Sequence, residues 1–338
     1  MQAKTPLRWL GHKTANDENP PVGEGKPLRA LLTRAATGAR LLQSMSAERV
    51  QHVTIVGVGL LGGSVALAIK AHDPAVRVAG VGRRQASLVE ALAVGAIDTA
   101  HLDAGEVVGR SDLVILATPV GAFERHLRAM AGKLKRNAAV TDVGSTKAMV
   151  VRTAEKVLGK GGPFVGSHPM AGSEHKGVTF ARADLFTGAT CIVTPTSATP
   201  AKLANRVEAL WRNLGMRTVR MTPTAHDRAA ARVSHLPHAL AALLMLLPGE
   251  ADLPIAATGF RDATRLAGGD PEMWRDVLLT NRRAILEALD AFDESLMHLR
   301  DLLELGDVRG IETFLAKAKG RRDATLAKTW QDRRVAME

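Results

Sequence analysis

Tyrosine is absent from this 338-residue chain, which has one cysteine, seven phenylalanines and four tryptophans. The single thiol, Cys191, excludes an intramolecular disulfide and a cysteine metal cage, and it fits a reducing compartment, the cytoplasm. With so few rings there is no basic face interleaved with stacking aromatics, the pattern a nucleic-acid partner requires. Long apolar runs are also missing. The richest, residues 239–247, is about half of the roughly 20 residues that cross a bilayer, so a soluble protein with no membrane partner is expected.

Positive charge is abundant but unevenly placed. The net charge is +11, and residues 1–44 and 317–338 each carry seven Lys/Arg against three Asp/Glu, so the two ends hold +8 of it. Basic ends of this kind are solvated tails and give no reason to expect nucleic-acid binding. The first 44 residues show no sustained period and contain Pro20-Pro21 among polar residues, which reads as a loose basic extension. No apolar signal core accompanies Arg29, Arg34 and Arg40, and Met45 offers an alternative start.

From Val53 onward, short apolar runs alternate with helical stretches. Strands are expected at 53–58, 76–81, 113–117, 138–143 and 164–166, and helices at 60–71 and 87–94. Near-continuous apolar strands joined through helices imply an α/β domain with a mostly parallel sheet covered on both faces. Further strands at 189–194 and 217–221 flank a helix at 200–214. After Thr222 only helical spacing remains, at 226–247, 263–266 and 271–303, with Asp270 as N-cap before Pro271 and Pro237 as a kink. The division is therefore 1–44 extension, 45–222 α/β domain, 223–320 all-helical domain and 321–338 basic tail. The Leu- and Ala-rich helical domain is expected to bury a face against a second copy.

The motif Gly57-Val58-Gly59-Leu60-Leu61-Gly62 lies between the first strand and a helix. Gly57 suits the tight turn, Gly59 the close approach of a pyrophosphate, and Gly62 the packing of helix on strand, with phosphates on the N–H groups around Leu60 and Leu61. At the end of the second strand, where an NAD site places a carboxylate, the chain reads Val81-Gly82-Arg83-Arg84. Two guanidiniums suit a 2′-phosphate, so NADP is expected ahead of NAD. Thr118 and Pro119 end another strand at the ligand crevice and would shape the nicotinamide pocket.

Ionisable chemistry gathers in four later segments: Asp142 to Lys147, Ser167 to Gly177 (SHPMAGSEHKG), the histidines 226, 235 and 238, and Arg261 to Arg275. Ser145 lacks the GxSxG elbow, and GSTK lacks P-loop spacing. His235 and His238 have no carboxylate at metal-motif spacing, so no metal is expected. A redox site remains, in which a neutral histidine takes a hydroxyl proton while hydride leaves the same carbon.

Together, VTIVGVGLLGGS, TDVGSTK, GSHPMAGSEHKG, HDRAAARVSHLPHAL and GFRDATRLAGGDPEMWRD resemble the prephenate/arogenate dehydrogenases of tyrosine biosynthesis, in order and over about residues 51 to 300. The resemblance implies a Rossmann-type domain joined to a helical dimerisation domain, and a homodimer that oxidatively decarboxylates a small cyclohexadienyl substrate with NADP or NAD. It implies His168 as the base for the ring hydroxyl and Ser145 as the group that bonds that hydroxyl and holds the histidine in register. It implies Arg265 for a substrate carboxylate, His238 for the pocket wall and Glu174 for gating and side-chain recognition. His226 and His235 match as well, with structural roles no less in view, whereas His175 and Lys176 read as solvated. Prephenate is the expected substrate and arogenate the alternative. A β-hydroxyacid-type dehydrogenase, which would use a lysine base, and a redox-sensing binding module are the competing classes.

Overall fold

The computed structural model describes residues 50–172 and 175–326. Its centre is a five-stranded, wholly parallel sheet ordered β3-β2-β1-β4-β5, from β1 (His52–Val56), β2 (Arg77–Val81), β3 (Thr99–His101), β4 (Leu113–Leu116) and β5 (Ala139–Asp142). Every residue of β4 and β5 is buried, as expected for strands covered on both faces. Two apolar clusters do the covering, one around Ile55, Val65 and Ile115 and one around Val56, Leu116 and Leu127. The covering helices include α1 (Leu60–His72), α2 (Gln85–Ala93), α3 (Phe123–Met130) and α4 (Ala148–Leu158). β3 is too short and exposed to show as an apolar run, and α3 and α4 also lie outside the helices expected from periodicity.

A second sheet has the order β6-β7-β8, from β6 (Gly166–Pro169), β7 (Thr190–Thr194) and β8 (Arg217–Arg220), with α5 (Ala201–Asn213) between the last two. The strand expected at 164–166 is therefore displaced. Phe164 forms only an isolated bridge to Val140, and the ladder runs on from Gly166↔Thr194 to Pro169↔Cys191, antiparallel to β7. His168 consequently lies inside a strand, its backbone fixed, and not in the turn beyond one.

The remaining described chain is helical: α6 (Pro223–Ala230), a π-turn (Ala231–His235), α7 (Leu236–Leu246), α8 (Thr258–Thr264), α9 (Pro271–Thr280), α10 (Arg282–Leu305) and α11 (Val308–Thr325). The kink expected at Pro237 takes the form of that π-turn. Pro237 has no N–H to return to the preceding turn, and the wider turn absorbs the mismatch while backbone angles stay helical. The helical run expected over 271–303 is two helices. They part at Asn281 (φ −110°, ψ 20°), whose side chain bonds elsewhere. Asp270 does cap α9, accepting from the Met273 N–H at 2.7 Å, with Pro271 in the first turn.

The helical core is small, centred on Ala231, Leu236, Ala284, Ile285 and Ala288. Leu246, Leu247 and Ile255 stay 81%, 76% and 86% exposed, the kind of apolar surface that another chain covers. The expectation that no segment reaches membrane length needs correction. Pro223–Leu246 is 24 residues of continuous helix, within which an 18-residue stretch has mean hydropathy 1.3. Its polar residues break the linear apolar run without breaking the helix; of these, His226, Asp227, His235 and His238 are buried in the protein, and Arg228 and Arg232 are exposed.

Candidate active site

A cleft of about 850 Å³ opens at the C-terminal ends of β1, β2 and β4. Gly57 turns the chain there with φ +101°, its N–H donating to the Val81 carbonyl at 2.8 Å. A Cβ on Gly59 would meet nothing within 4 Å, so the space above it is open to a ligand. α1 then begins with no side-chain cap, leaving the N–H groups of its first turn to an anion. Gly57, Gly59, Arg83, Arg84, Thr118 and Pro119 all line the cleft, whereas Leu60, Leu61 and Gly62 do not. Gly62 is buried, and a Cβ there would collide with the Gly57 carbonyl oxygen. These features fit the pyrophosphate of a dinucleotide.

Two further basic residues share the cleft with Arg83 and Arg84: Arg125 and His126, from α3. Burial, Arg125 and Arg83 hold His126 below the usual imidazole range. From the helical half, Glu272, Arg275 and Asp276 of α9 complete the lining, and α9 packs on the turn Val120–Ala122 that follows Pro119. Arg125 and His126 belong to no motif in the sequence, whereas Glu272, Arg275 and Asp276 fall within GFRDATRLAGGDPEMWRD, where no cofactor role is expected of them.

His168 is 9% exposed. Burial, then the nearby His226, Lys147 and His235, hold its pKa well below the imidazole norm, so the ring is neutral at pH 7. Its Nδ1 lies 2.8 Å from His226 Nε2, and His226 Nδ1 lies 2.8 Å from Asp227 Oδ1. Asp227 in turn accepts from the backbone N–H groups of Lys147 (2.7 Å) and Ala148 (2.8 Å). The partner that holds His168 in register is thus His226. Ser145 makes no hydrogen bond to His168; it is half-buried in the loop between β5 and α4, and its carbonyl faces the His235 ring outside hydrogen-bond geometry.

Beneath this chain lies a buried ion pair, Lys147 with Asp142, both 0% exposed. Lys147 Nζ also donates to the Ser167 carbonyl at 2.8 Å, and Asp142 accepts from the Ser167 N–H (3.0 Å) and the Gly144 N–H (2.8 Å). Burial pushes the Asp142 carboxyl up, opposed by Lys147 and these N–H groups.

The opposite wall belongs to the helices. His238 stacks on Trp274 with centroids 3.4 Å apart, and His235 meets the same indole edge-on at 6.0 Å. Burial depresses both histidines, His235 to about 4. Arg265 is exposed and opens the turn Arg265–Gly268, which packs on α7. A Cβ on the next residue, Gly269, would strike both His238 and Trp274. Glu174 lies outside the described residues. His175 and Lys176 are exposed but engaged, His175 stacked on Phe180 at 4.6 Å and Lys176 paired with Asp270 at 2.5 Å. Among the described residues no group of three His, Cys, Asp or Glu could hold a metal.

Residues 65–220 match the prephenate dehydrogenase nucleotide-binding domain, and residues 222–317 match the prephenate dehydrogenase dimerization domain. The chain belongs to the prephenate dehydrogenase family. Prephenate dehydrogenase of Bacillus subtilis is 36% identical over 80% of this chain and 75% of its own. Cyclohexadienyl dehydrogenase of Zymomonas mobilis is 36% identical over 76% of this chain and 90% of its own. Prephenate dehydrogenase from Aquifex aeolicus, solved in complex with hydroxyphenyl propionate and NAD+, superposes with a TM-score of 0.77 at 33% identity, covering 82% of this chain and 99% of that one.

As a member of the prephenate dehydrogenase family the protein is a nicotinamide-dependent oxidoreductase, and the β-hydroxyacid and binding-module readings fall away. The dimerization-domain match spans the helices that expose Leu246, Leu247 and Ile255, in keeping with a homodimer.

Proposed function

We propose that the protein converts prephenate to 4-hydroxyphenylpyruvate by oxidative decarboxylation, with arogenate as the alternative substrate, in the cytoplasm. The observation that carries the mechanism is His168: neutral, buried and set on a strand with one ring nitrogen already occupied. Its free nitrogen accepts the proton of the ring 4-hydroxyl. The bound nicotinamide supplies a hydride acceptor for C4. Loss of the ring carboxylate as carbon dioxide then makes the ring aromatic, so the protein needs only to orient the substrate, take one proton and hold the charges.

Ser145 donates to the substrate hydroxyl. Arg265, with no ion pair among the described residues, binds a substrate carboxylate, and a guanidinium does so in bidentate fashion. His238, fixed against Trp274, forms the pocket wall, and Glu174 recognises the substrate side chain. The division between the nucleotide and substrate domains falls at residues 222 and 223. NADP is the preferred cofactor, supported by Arg83 and Arg84 with Arg125 and His126 on the same cleft; the Aquifex aeolicus relative was solved with NAD+.

Steady-state assays with prephenate and arogenate, each with NADP and NAD, test the whole reading; no turnover in any of the four combinations would overturn it. His168→Asn should leave KM near its starting value while kcat falls about 100-fold or more. Replacing Arg83 and Arg84 by alanine should raise the KM for NADP at least ~10-fold and spare NAD.

A further inference from the structure

We propose that His226 and Asp227 are positioning residues that select one tautomer of His168, with the ring proton on Nδ1 and the lone pair of Nε2 facing the substrate hydroxyl. The inference rests on His168 being the base. It adds which nitrogen does the work and what decides it.

The hydrogen-bond chain runs inward from the start of α4. Backbone N–H groups only donate, so the Asp227 carboxylate, which takes Lys147 N–H at 2.7 Å and Ala148 N–H at 2.8 Å, is held as an acceptor. A carboxylate at a helix N-terminus is also favoured in its ionised form. His226 Nδ1, 2.8 Å from Asp227 Oδ1, must therefore carry a proton. A neutral imidazole has one N–H, which leaves His226 Nε2 an acceptor. His168 Nδ1 lies 2.8 Å from that nitrogen and must donate to it. One N–H is then spent, and Nε2 of His168 keeps a lone pair. The orientation of the chain follows from its anchored end: reversing it would turn the bare Nδ1 of His226 toward the Asp227 carboxylate, two acceptors with no proton between them.

Both ends are rigid. His168 is held in β6, and the Asp227 backbone carbonyl accepts from Asn281 Nδ2 at 2.8 Å. His226 is 0% and Asp227 4% exposed, so water does not compete for these bonds. The ionisable groups around His168 are His226 and His235 from the helical half and Lys147 from the loop before α4. Around His226 they are Asp227, Lys147 and Asp142. Burial depresses the pKa of His226, with Asp227 opposing, in keeping with a neutral ring. The adjacent pair His226-Asp227 is visible in the sequence, but nothing in its spacing shows that it reaches β6 and α4 together.

Two measurements on the full chain test the proposal. Long-range 1H–15N correlation of histidine-labelled protein at pH 7.5, with the His168 signals identified by their loss in His168→Asn, should show Nδ1 protonated and Nε2 bare; a proton on Nε2 would overturn the inference. In steady state, His226→Leu removes the acceptor and should lower kcat about 10- to 100-fold at nearly unchanged substrate KM. His226→Gln restores an acceptor of similar reach and should recover most of that loss. Equal losses in both variants, or a loss confined to KM, would assign His226 to packing and refute the positioning role. Should His226→Leu not fold, the tautomer in the unaltered protein still decides. Unchanged turnover in His168→Asn would instead sink the underlying reading, and because the tautomer is read without turnover the two failures are separable.

Discussion

The nucleotide cleft and the polar block behind His168 are built by opposite means. At the cleft the working groups are backbone: a left-handed Gly57, an open Gly59 and an uncapped helix start, with arginines exposed around the rim. Behind His168 the groups are side chains removed from water, each held by two or more partners, from Lys147 and Asp142 through Asp227 and His226. A backbone site tolerates most side-chain changes and fails only where a Cβ intrudes. A buried polar network fails wherever one member loses its partner. The two regions should therefore respond very differently to substitution.

The largest effect should come from the network. Lys147→Met strands the Asp142 carboxylate at 0% exposure and should cost about 3–5 kcal/mol in urea unfolding. Adding Asp142→Leu removes the stranded charge and should restore much of the loss. A cost below about 1 kcal/mol for the single variant would place the pair with ordinary surface bridges and erase the contrast.

Within the cleft, two glycines of one motif should part company. Gly62→Ala drives a Cβ into the Gly57 carbonyl and presses on Ile55 and Ala117, so stability should fall by about 1–3 kcal/mol. Gly59→Ala has open space and φ −95°. Stability should hold, and calorimetric titration should instead show weaker dinucleotide binding, since the new methyl would occupy the open space suited to a pyrophosphate. Equal destabilisation by both would show that Gly59 serves the fold and not the ligand.

What the sequence alone makes legible follows the same divide. The glycine turn, the strand before it, the paired arginines and the cap at Asp270 are local, so sequence spacing exposes them. His168 is legible by resemblance, but the apolar run 164–166 marks its strand two residues early because the pairing that defines β6 lies with β7, over 20 residues on. Asn281 looked like an ordinary residue of one long helix. Its side chain instead breaks the helix to bond Asp227 and His235, a tertiary contact with no local signal. Lys147 is legible as part of a motif, and only its burial shows it as the base of the network.

Acid should also separate the regions. His168, His226 and His235 all have folded pKa values below their unfolded value near 6.5, His235 at about 4. Below pH 6.5 the unfolded chain takes up these protons before the folded one. Stability is therefore full above about 6.5 and is lost as pH falls toward 4, by up to about 1.4 kcal/mol per unit for each such histidine. Urea midpoints at pH 7.5 and 5.0 should show the loss, and His235→Gln should shrink it. A variant with the full acid sensitivity of the parent would remove His235 from the account.

The smallest effect should come where the two halves meet at the surface. Lys176 Nζ reaches Asp270 Oδ2 at 2.5 Å, with side chains 67% and 31% exposed. Solvent screens such a pair, so Lys176→Ala should cost no more than about 1 kcal/mol. Asp270 does two jobs, since its Oδ1 also caps α9 through the Met273 N–H. Asp270→Ala therefore loses the bridge and the cap, and the cap alone is worth about 1 kcal/mol. Asp270→Asn keeps an oxygen for the cap and gives up only the charge, so it should resemble Lys176→Ala. If instead it matched Asp270→Ala, the charge at the start of α9 would be the stabilising element. The surface tie would then follow the same rule as Asp227 at α4, an anion set against a helix N-terminus.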